Sequence, residues 1–482
     1  MIDAALSLCR LLLGLGAVFL LGYGCFALLV PRPPEFPGPE KLAFSFGIGA
    51  TLLTLWMLVL SWLGLQLGLP VILGPILVLT GVALLVKKLI RGRSREMTTR
   101  EAPGPPASSP NTAPPIPYRL WDWVFLGLLA LLFLGATLRA TLYPMWAWDA
   151  IATWGCKAKV FYLSRGMNLT CIDAHNYYPN LLPLLLSYLY FCLGRVNDHL
   201  AQGLFPLWGA LLLALLQAFL RRGGLGRTQA LGVTAFLALN GTVFPVHLYI
   251  AYADLPLAYF ALAAVGLLYL WFTDRAPRGS LALAACAFAG MAWCKYEGPP
   301  LAVTVLLAAL LTLAWLRPPD LKARLAALGI PLLGLGAGFL PWRLFAALGH
   351  LEMGADHIRN IYPQQFLAAC TYLGVALANP FYFGVLWPAL ILALIFCGRS
   401  LWRTPRLFLA LFIGGNLLAI LIAYGVAPTD AAEFPSYVRA TLDRLLLHIT
   451  PVAALLVGEG LKTWGEGRGI GSTEQAIIPG EK

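Results

Sequence analysis

Apolar runs long enough to cross a lipid bilayer recur along almost the whole chain, and they restrict its fold more than any other feature. The first extends from 5 to 30, and others follow up to 461. About 20 apolar residues span the roughly 30 Å of bilayer hydrocarbon as a helix. A spanning segment must also satisfy its own backbone hydrogen bonds. We therefore expect an all-α, polytopic transmembrane helical bundle with about 13 spans.

Composition excludes a large soluble domain. Hydrophobic residues make up 59% of the 482 residues, charged residues make up only 12%, and the mean hydropathy is +0.76. The charged share is about half that of a typical soluble domain. The net charge of +12 raises the alternative of nucleic-acid binding. Its distribution along the predicted spans argues against a nucleic-acid partner.

The excess positive charge falls on one predicted side of the membrane. The side that carries segment 87–119 holds 23 Lys and Arg residues against 11 Asp and Glu, whereas the other side holds 11 of each. Lys and Arg are enriched in cytoplasmic loops. Segment 87–119 is therefore predicted to be cytoplasmic. The opposite side faces the periplasm or exterior.

The chain divides into four predicted parts. Residues 1–86 form an N-terminal three-helix membrane unit, and 87–119 form a basic, Pro/Ser-rich linker that cannot bury enough apolar surface to fold. Residues 120–461 form the main transmembrane core, and 462–482 form a cytoplasmic tail. Within the core, the run from Leu181 to Leu193 is too short to span comfortably. We expect it to be a juxtamembrane helix on the outer face.

Asp149 is the leading candidate for chemistry. It lies in Met145-Trp146-Ala147-Trp148-Asp149, just after an apolar run that ends at Leu142, so the carboxylate emerges at the outer membrane face among indole rings. An ionisable group at a membrane surface of this kind indicates a functional site. The functional interpretation is a general base. The alternative is an Asp that caps a helix beginning at Ala150.

Asp254 is the second candidate carboxylate. It lies in Tyr252-Ala253-Asp254-Leu255-Pro256, at the predicted outer end of a span. The alternative is again a helix cap, which an Asp followed by Pro suits well.

Basic side chains at the same predicted outer face suit a lipid phosphate, because phosphate lies at that depth and cations hold it. The alternatives are that Lys157 extends to lipid headgroups and that Lys295 pairs with Glu297. Four residues are candidate phosphate ligands: Lys295, Arg444, Lys157 and Arg343.

Other polar residues at this face are candidates for an acceptor pocket. The candidates are His175, Tyr178, Glu297 and Lys159. For His175 and Tyr178 the alternative is an aromatic belt at the membrane interface. No cofactor is required by the sequence. A divalent metal stays open, with Asp149, Asp254, His175 and His357 as possible ligands. Cys156 and Cys171 share the outer segment, and their pairing is left open.

Four segments, taken in order, resemble the GT-C membrane glycosyltransferases, in the neighbourhood of protein O-mannosyltransferases and lipid A aminoarabinose transferases. They are Trp148-Asp149 with Trp154-Gly155-Cys156-Lys157-Ala158-Lys159, then His175 to Leu184, then Tyr252-Ala253-Asp254-Leu255-Pro256-Leu257-Ala258, and Lys295-Tyr296-Glu297-Gly298. The resemblance covers about 120–460.

The resemblance implies a sugar donor on a polyprenyl phosphate and an inverting transfer, with Asp149 as the base, to a lipid, glycan or protein acceptor. Members of the superfamily often carry a paired acidic motif, whereas here Asp149 is followed by Ala150. Two alternatives of other classes remain: a lipid or solute transporter, and a non-catalytic membrane assembly subunit. A transporter needs ionisable residues near the midplane and broken helices there.

Overall fold

The computed structural model describes residues 2–31, 35–98, 117–170, 172, 174–351 and 360–467. Within these ranges the chain forms helices joined by loops, with no strand. Residues 87–98 of the predicted linker (87–119) are helical. Residues 99–116 of this linker and residues 468–482 of the predicted tail (462–482) lie outside the described residues. So do Cys171 and His357, and the question whether Cys171 pairs with Cys156 stays open.

Seven helices and a short π-helical turn, Ala150–Gly155, form the first part of the fold. The helices are α1 (Ile2–Leu29), α2 (Gly38–Trp62), α3 (Leu69–Thr98), α4 (Leu120–Leu142), α5 (Cys156–Ser164), α6 (Leu181–Leu193) and α7 (Asp198–Ala201).

The remaining helices form the second part of the fold. They are α8 (Leu204–Arg222), α9 (Arg227–Leu239), α10 (Val243–His247), α11 (Asp254–Phe272), α12 (Ser280–Cys294), α13 (Gly298–Leu316), α14 (Leu321–Ala327), α15 (Gly329–Leu348), α16 (Pro363–Ala378), α17 (Pro380–Phe383), α18 (Leu386–Leu401), α19 (Arg406–Val426), α20 (Phe434–Leu447) and α21 (Thr450–Gly467).

The predicted all-α transmembrane bundle is confirmed, but the count of about 13 spans is not. Among the described residues, nine helices are long and apolar enough to cross a membrane, or ten if α20 and α21 form one span bent by 48°. Three further apolar helices, α6, α12 and α18, are shorter than a bilayer crossing requires. The chain is thus a multi-pass membrane protein with several short or broken helices.

The apolar run from 228 to 249 is long enough to cross the membrane, but it does not form one continuous helix. Helix α9 ends at Leu239, and Gly241 has a φ of +99°, which glycine adopts without steric cost. The Asn240 side chain donates to the Phe383 carbonyl and accepts from the Val385 backbone N–H, so the break is held against the neighbouring segment. Helix α10 then restarts at Val243.

Helix α11 lies at the centre of the bundle. Almost every residue from Asp254 to Phe272 is buried, so the helix is apolar on all sides, as a fully enclosed helix must be. It packs against α8 and α12, and it also contacts α20 and α21. Asp254 is the first residue of this helix, and the packing of the helix therefore fixes the position of its carboxylate along the bundle axis.

The N-terminal helices pack directly against the main core. Helix α2 contacts α6, α8 and α12, and the Tyr259 hydroxyl donates to the Ala43 carbonyl at 2.6 Å. A Cβ on Gly47 would lie 2.6 Å from the Tyr259 hydroxyl oxygen, so the two helices meet at a distance that only glycine allows. Helices α1 and α2 of the predicted N-terminal unit therefore belong to the same packed bundle as the main core.

The predicted juxtamembrane helix is α6, with the expected bounds Leu181–Leu193. Most of its residues are buried, because α1, α2 and α5 pack around it. The uniform apolarity of this run follows from that enclosure.

Helices α12 and α15 meet through a pair of glycines. A Cβ on Gly334 would lie 2.1 Å from the Ala285 carbonyl oxygen, and one on Gly338 would lie 2.1 Å from the Ala289 carbonyl oxygen. Small residues one helical turn apart allow such close packing in membranes. The contact fixes the end of α12, where Lys295 follows.

The bundle has two ends that are defined by α4. Asp122 lies in the first turn of α4, and Asp149 follows shortly after its last turn. We refer to these as the Asp122 end and the Asp149 end.

Candidate active site

Asp149 immediately precedes the π-helical turn but its side chain does not cap it. Its side chain makes no capping hydrogen bond, so the capping interpretation is wrong. One carboxylate oxygen instead lies 2.7 Å from Nη2 of Arg444. The side chain is 18% exposed, which leaves this carboxylate open to a ligand.

Asp254 is fully enclosed, with 0% of its side chain exposed. Ala253 occupies the N-cap position of α11 and Asp254 is the first helical residue, so the capping interpretation is wrong here also. Its carboxylate lies 2.8 Å from Lys295 Nζ, 3.1 Å from Arg444 Nη2 and 3.0 Å from His448 Nε2. A buried carboxylate is stable only when it is paired in this way.

Lys295 joins two carboxylates. It follows α12 in an extended conformation, and its Nζ lies 2.9 Å from Glu297 Oε1 as well as 2.8 Å from Asp254. Burial opposes the charge on this nearly inaccessible ammonium, but Asp254 and Glu297 raise the pKa of Lys295 above its usual value. Lys295 therefore stays cationic at neutral pH, with both partners held by a single side chain.

Arg444 lies in the last turn of α20 and bridges Asp149 and Asp254. Its guanidinium carbon is 4.4 Å from the centre of the Tyr252 ring, a cation–π distance. His448 follows one turn later on the same helical face and reaches the same carboxylate of Asp254. The bend between α20 and α21 comes directly after these two residues.

We define the charged cluster as the connected group at the Asp149 end. Its carboxylates outnumber its permanent cations, and its members come from segments that are far apart in the chain. They are Asp149, Asp254, Lys295, Glu297, Arg444 and His448.

Aromatic side chains form a wall beside the charged cluster. The His175 ring stacks on Tyr178 at 4.8 Å between centroids, and Trp148 meets His175 edge-on at 5.9 Å. Tyr178 in turn lies parallel to Tyr296 at 5.9 Å. Burial, reinforced by Glu297, raises the pKa of Tyr178 well above its ordinary value. Its phenol is therefore neutral and can donate a hydrogen bond.

A cavity of about 460 Å³ lies against this wall. Trp342 closes one side and donates its indole N–H to the Tyr177 carbonyl at 3.0 Å. Arg343 lines the cavity together with Phe339 of the same helix, α15. Such a space, mostly apolar with a few polar groups, is typical of a ligand site. The lining residues are Tyr177, Pro179, Tyr296, Pro299, Pro300, Phe339, Trp342 and Arg343.

Lys157 and Lys159 have different surroundings and different partners. Lys157 is buried and donates to the His175 carbonyl at 2.5 Å, so it does not extend to lipid headgroups. Burial lowers the pKa of Lys157 to about 7. Lys159 is exposed and pairs with Asp198 at 2.8 Å, which places it outside the charged cluster.

Two members of this site were not among the candidates from the sequence. Tyr252 packs against Arg444, and His448 contacts Asp254. The spacing of four residues between Arg444 and His448 was the available signal, because it places both side chains on one helical face.

Among the described residues, no group of three or more His, Cys, Asp and Glu side chains is placed to hold a metal ion. His357, one of the predicted ligands, is not described. The metal requirement stays open.

No family model matches the sequence, and no curated protein matches it. Solved structures do match. ArnT from Cupriavidus metallidurans bound to undecaprenyl phosphate superposes with a TM-score of 0.52 and 17% identity, over 72% of this chain and 62% of ArnT. Its apo state gives 0.50 and 15%, over 72% and 61%. Archaeal oligosaccharyltransferase AglB from Archaeoglobus fulgidus, in complex with an inhibitory peptide and a dolichol-phosphate, gives 0.47 and 11%, over 75% and 52%.

The likenesses to the two ArnT structures show that this chain shares the fold of ArnT, in agreement with the fold expected from the sequence. The chain spans about 62% of the length of ArnT.

Proposed function

We propose that this protein is an inverting glycosyltransferase that moves a sugar from a polyprenyl-phosphate donor to a hydroxyl or amine of a lipid, glycan or protein acceptor. The site is the charged cluster, and the Asp149 end faces the periplasm or exterior of a bacterial or archaeal cytoplasmic membrane. The observation that carries the proposal is the bridge from Arg444 to Asp149 and Asp254 within a GT-C-type fold.

The two carboxylates predicted to be catalytic have different surroundings, which suit different roles. Asp149 has one close cation and an open side, so it can accept a proton from an acceptor hydroxyl. Asp254 is enclosed by three partners and has no access to an acceptor. We assign Asp149 as the general base and Asp254 as the residue that positions Lys295 and Arg444.

The cations suit a departing phosphate. As the sugar–phosphate bond breaks, negative charge grows on the phosphate oxygens, and a nearby guanidinium or ammonium lowers the barrier. Arg444 lies at the open edge of the cluster and shares its charge between two carboxylates. A phosphate that replaces Asp149 beside Arg444 would leave Asp149 free to accept the proton. Lys295, Lys157 and Arg343 are the further candidates for phosphate contact.

Replacement of Asp149 tests the base. Asp149→Asn keeps the size of the side chain but removes its basicity, so we expect transfer to fall by about 10²- to 10⁴-fold with no loss of donor binding. The assay uses membrane vesicles that contain the protein and labelled undecaprenyl-phosphate sugars, and follows label into lipid, glycan and protein fractions.

Asp198→Asn is the matched control. Asp198 is also 18% exposed and also paired with a cation, Lys159, but it lies outside the charged cluster. It should keep normal transfer. Full transfer by Asp149→Asn would remove Asp149 as the base. Label that crosses the membrane without changing its chemical linkage would instead show a transporter.

A further inference from the structure

Glu297 has one satisfied oxygen and one unsatisfied oxygen. Lys295 holds Oε1 at 2.9 Å. The second oxygen, Oε2, accepts no hydrogen bond from any described residue and has little exposed surface of its own. The Glu297 side chain as a whole is 29% exposed, so that, unlike Asp254, it lies within reach of a ligand. A buried acceptor without a donor is costly, and more so when it carries charge. The position therefore fits a hydrogen-bond donor that arrives with a ligand.

The charge of Glu297 restricts that ligand. A carboxylate oxygen repels phosphate and accepts hydrogen bonds from O–H or N–H groups. Lys295 already neutralises part of the local charge and also holds Asp254, so the carboxylate cannot turn away without breaking an existing pair. Oε2 is thus a fixed acceptor that is unsuited to the lipid phosphate.

The neighbours of Glu297 supply the complementary surface. Tyr296 precedes it and lines the cavity, with Tyr177 edge-on at 5.3 Å and Tyr178 parallel at 5.9 Å. A sugar ring has an apolar face of C–H groups and an edge of hydroxyls. An aromatic surface beside a fixed carboxylate oxygen matches both features.

We propose that Glu297 Oε2 accepts a hydrogen bond from a hydroxyl of the donor sugar, and that Glu297 determines which sugars are bound. The inference rests on the proposed function, because it places the sugar of a polyprenyl-phosphate donor at this site. Lys295 orients the carboxylate, and Tyr296 supports the sugar ring.

The test compares lipids with and without a sugar. The purified full-length protein is titrated with undecaprenyl phosphate and with undecaprenyl-phosphate-linked glucose, galactose and mannose. Glu297→Gln keeps an oxygen for Lys295 but places an NH₂ group where Oε2 was. We expect the affinity for the preferred sugar lipid to fall at least about tenfold, since hydrogen bonds to charged groups contribute at this level. The affinity for undecaprenyl phosphate should stay within about twofold.

Glu433→Gln is the matched control. Glu433, like Glu297, immediately precedes a helix with Pro in its first turn and makes no capping hydrogen bond, but its side chain is exposed. It should leave both affinities unchanged. A thermal melt of each variant checks folding.

Three results would overturn the role of Glu297: equal losses for the sugar lipid and undecaprenyl phosphate, no loss for either, or a wild-type protein that binds undecaprenyl phosphate saturably but binds no sugar lipid more tightly. Failure of the proposed function gives a different result. In that case the wild-type protein binds neither undecaprenyl phosphate nor any sugar lipid saturably.

Discussion

Buried ion pairs occur at both ends of the bundle, but they are arranged differently. At the Asp122 end, Arg222 pairs with Glu40 at 2.7 Å, Arg227 with Asp122 at 3.0 Å, and Arg406 with Glu459 at 3.1 Å. In each of these pairs one guanidinium meets one carboxylate on another helix. At the Asp149 end, by contrast, Arg444 and Lys295 each contact two carboxylates.

The difference shows how similar residues serve different purposes. A closed one-to-one pair joins two helices and offers no free charge to a ligand. A shared cation beside an open carboxylate can exchange one partner for another at lower cost, because its second partner stays in place. Buried pairs are weak evidence of stabilisation in general. The arrangement of partners is more informative than their number.

The largest expected effect comes from removing one buried carboxylate at each end. Glu40→Gln leaves Arg222 without its anion, so we expect it to lower the free energy of unfolding by about 3–5 kcal/mol. Asp254→Asn removes one of the two carboxylates that Lys295 and Arg444 each contact, so we expect it also to lower the free energy of unfolding. Only Asp254→Asn should also abolish transfer per folded molecule. Thermal melts and transfer assays on the same preparations measure both quantities. Normal transfer by folded Asp254→Asn would contradict the proposed difference in function between the two ends.

A smaller effect on the free energy of unfolding is expected from the titration of Lys157, a buried cation with no carboxylate partner among the described residues. Burial lowers the pKa of Lys157 from 10.5 to about 7 in the folded protein. Between these values the unfolded chain binds the additional proton, so stability rises with pH, by up to about 1.4 kcal/mol per pH unit. Below pH 7 both states are protonated, and this contribution is constant.

Melting curves between pH 7 and pH 9 test this dependence. Lys157→Met should flatten the rise, whereas Lys159→Met should keep it, because Lys159 is exposed and paired with Asp198. An identical slope in the wild type and Lys157→Met would contradict the assignment.

The packing that places Lys295 can be tested through Gly338. Gly338→Ala would bring a Cβ to 2.1 Å from the Ala289 carbonyl oxygen and push α15 away from α12. We expect a loss of about 1–3 kcal/mol in the free energy of unfolding, with weakened transfer. Gly336→Ala on the same helix meets only a side-chain carbon at 3.8 Å and should be tolerated. Equal melting temperatures for the two variants would show that the close contact is unimportant.

The smallest effect is expected from replacing a closed pair at the Asp122 end with apolar residues. The double substitution Arg406→Met with Glu459→Leu removes both charges together, so the unfolding free energy should be unchanged or raised by about 1–4 kcal/mol. Transfer should be normal. A large loss of activity without a loss of stability would mean that this end also takes part in function.

The sequence predicted that Asp149, Asp254, Lys295, Glu297 and Arg444 lie on one side of the membrane, because each lies at the end of an apolar run. Span topology fixes the height of a residue in the membrane but not its direction around the bundle. Lys159 illustrates this limit, since it lies two residues from Lys157 yet pairs with Asp198. Only packing decides which residues at one height meet.

Two further features of the fold, the break after α9 and the enclosure of α6, differ in how far the sequence indicates them. The break after α9 coincides with Asn240-Gly241, a dipeptide typical of turns. The apolar run around it was long enough to obscure that signal. The enclosure of α6 by the N-terminal helices could not be inferred, because nothing in a uniformly apolar run distinguishes a helix neighbour from lipid.

The contact of α2 with α11 has a practical consequence for dissecting the protein. Tyr259 is bonded to the Ala43 backbone, and Trp293 donates to Thr54 at 2.9 Å, so residues of the first two helices complete the interior of the later ones. Co-expression of two separate polypeptides, 1–98 and 117–482, should yield a complex that purifies through a tag on either piece. The second polypeptide produced alone should be prone to aggregation, because it lacks the surface that covers Tyr259 and Trp293.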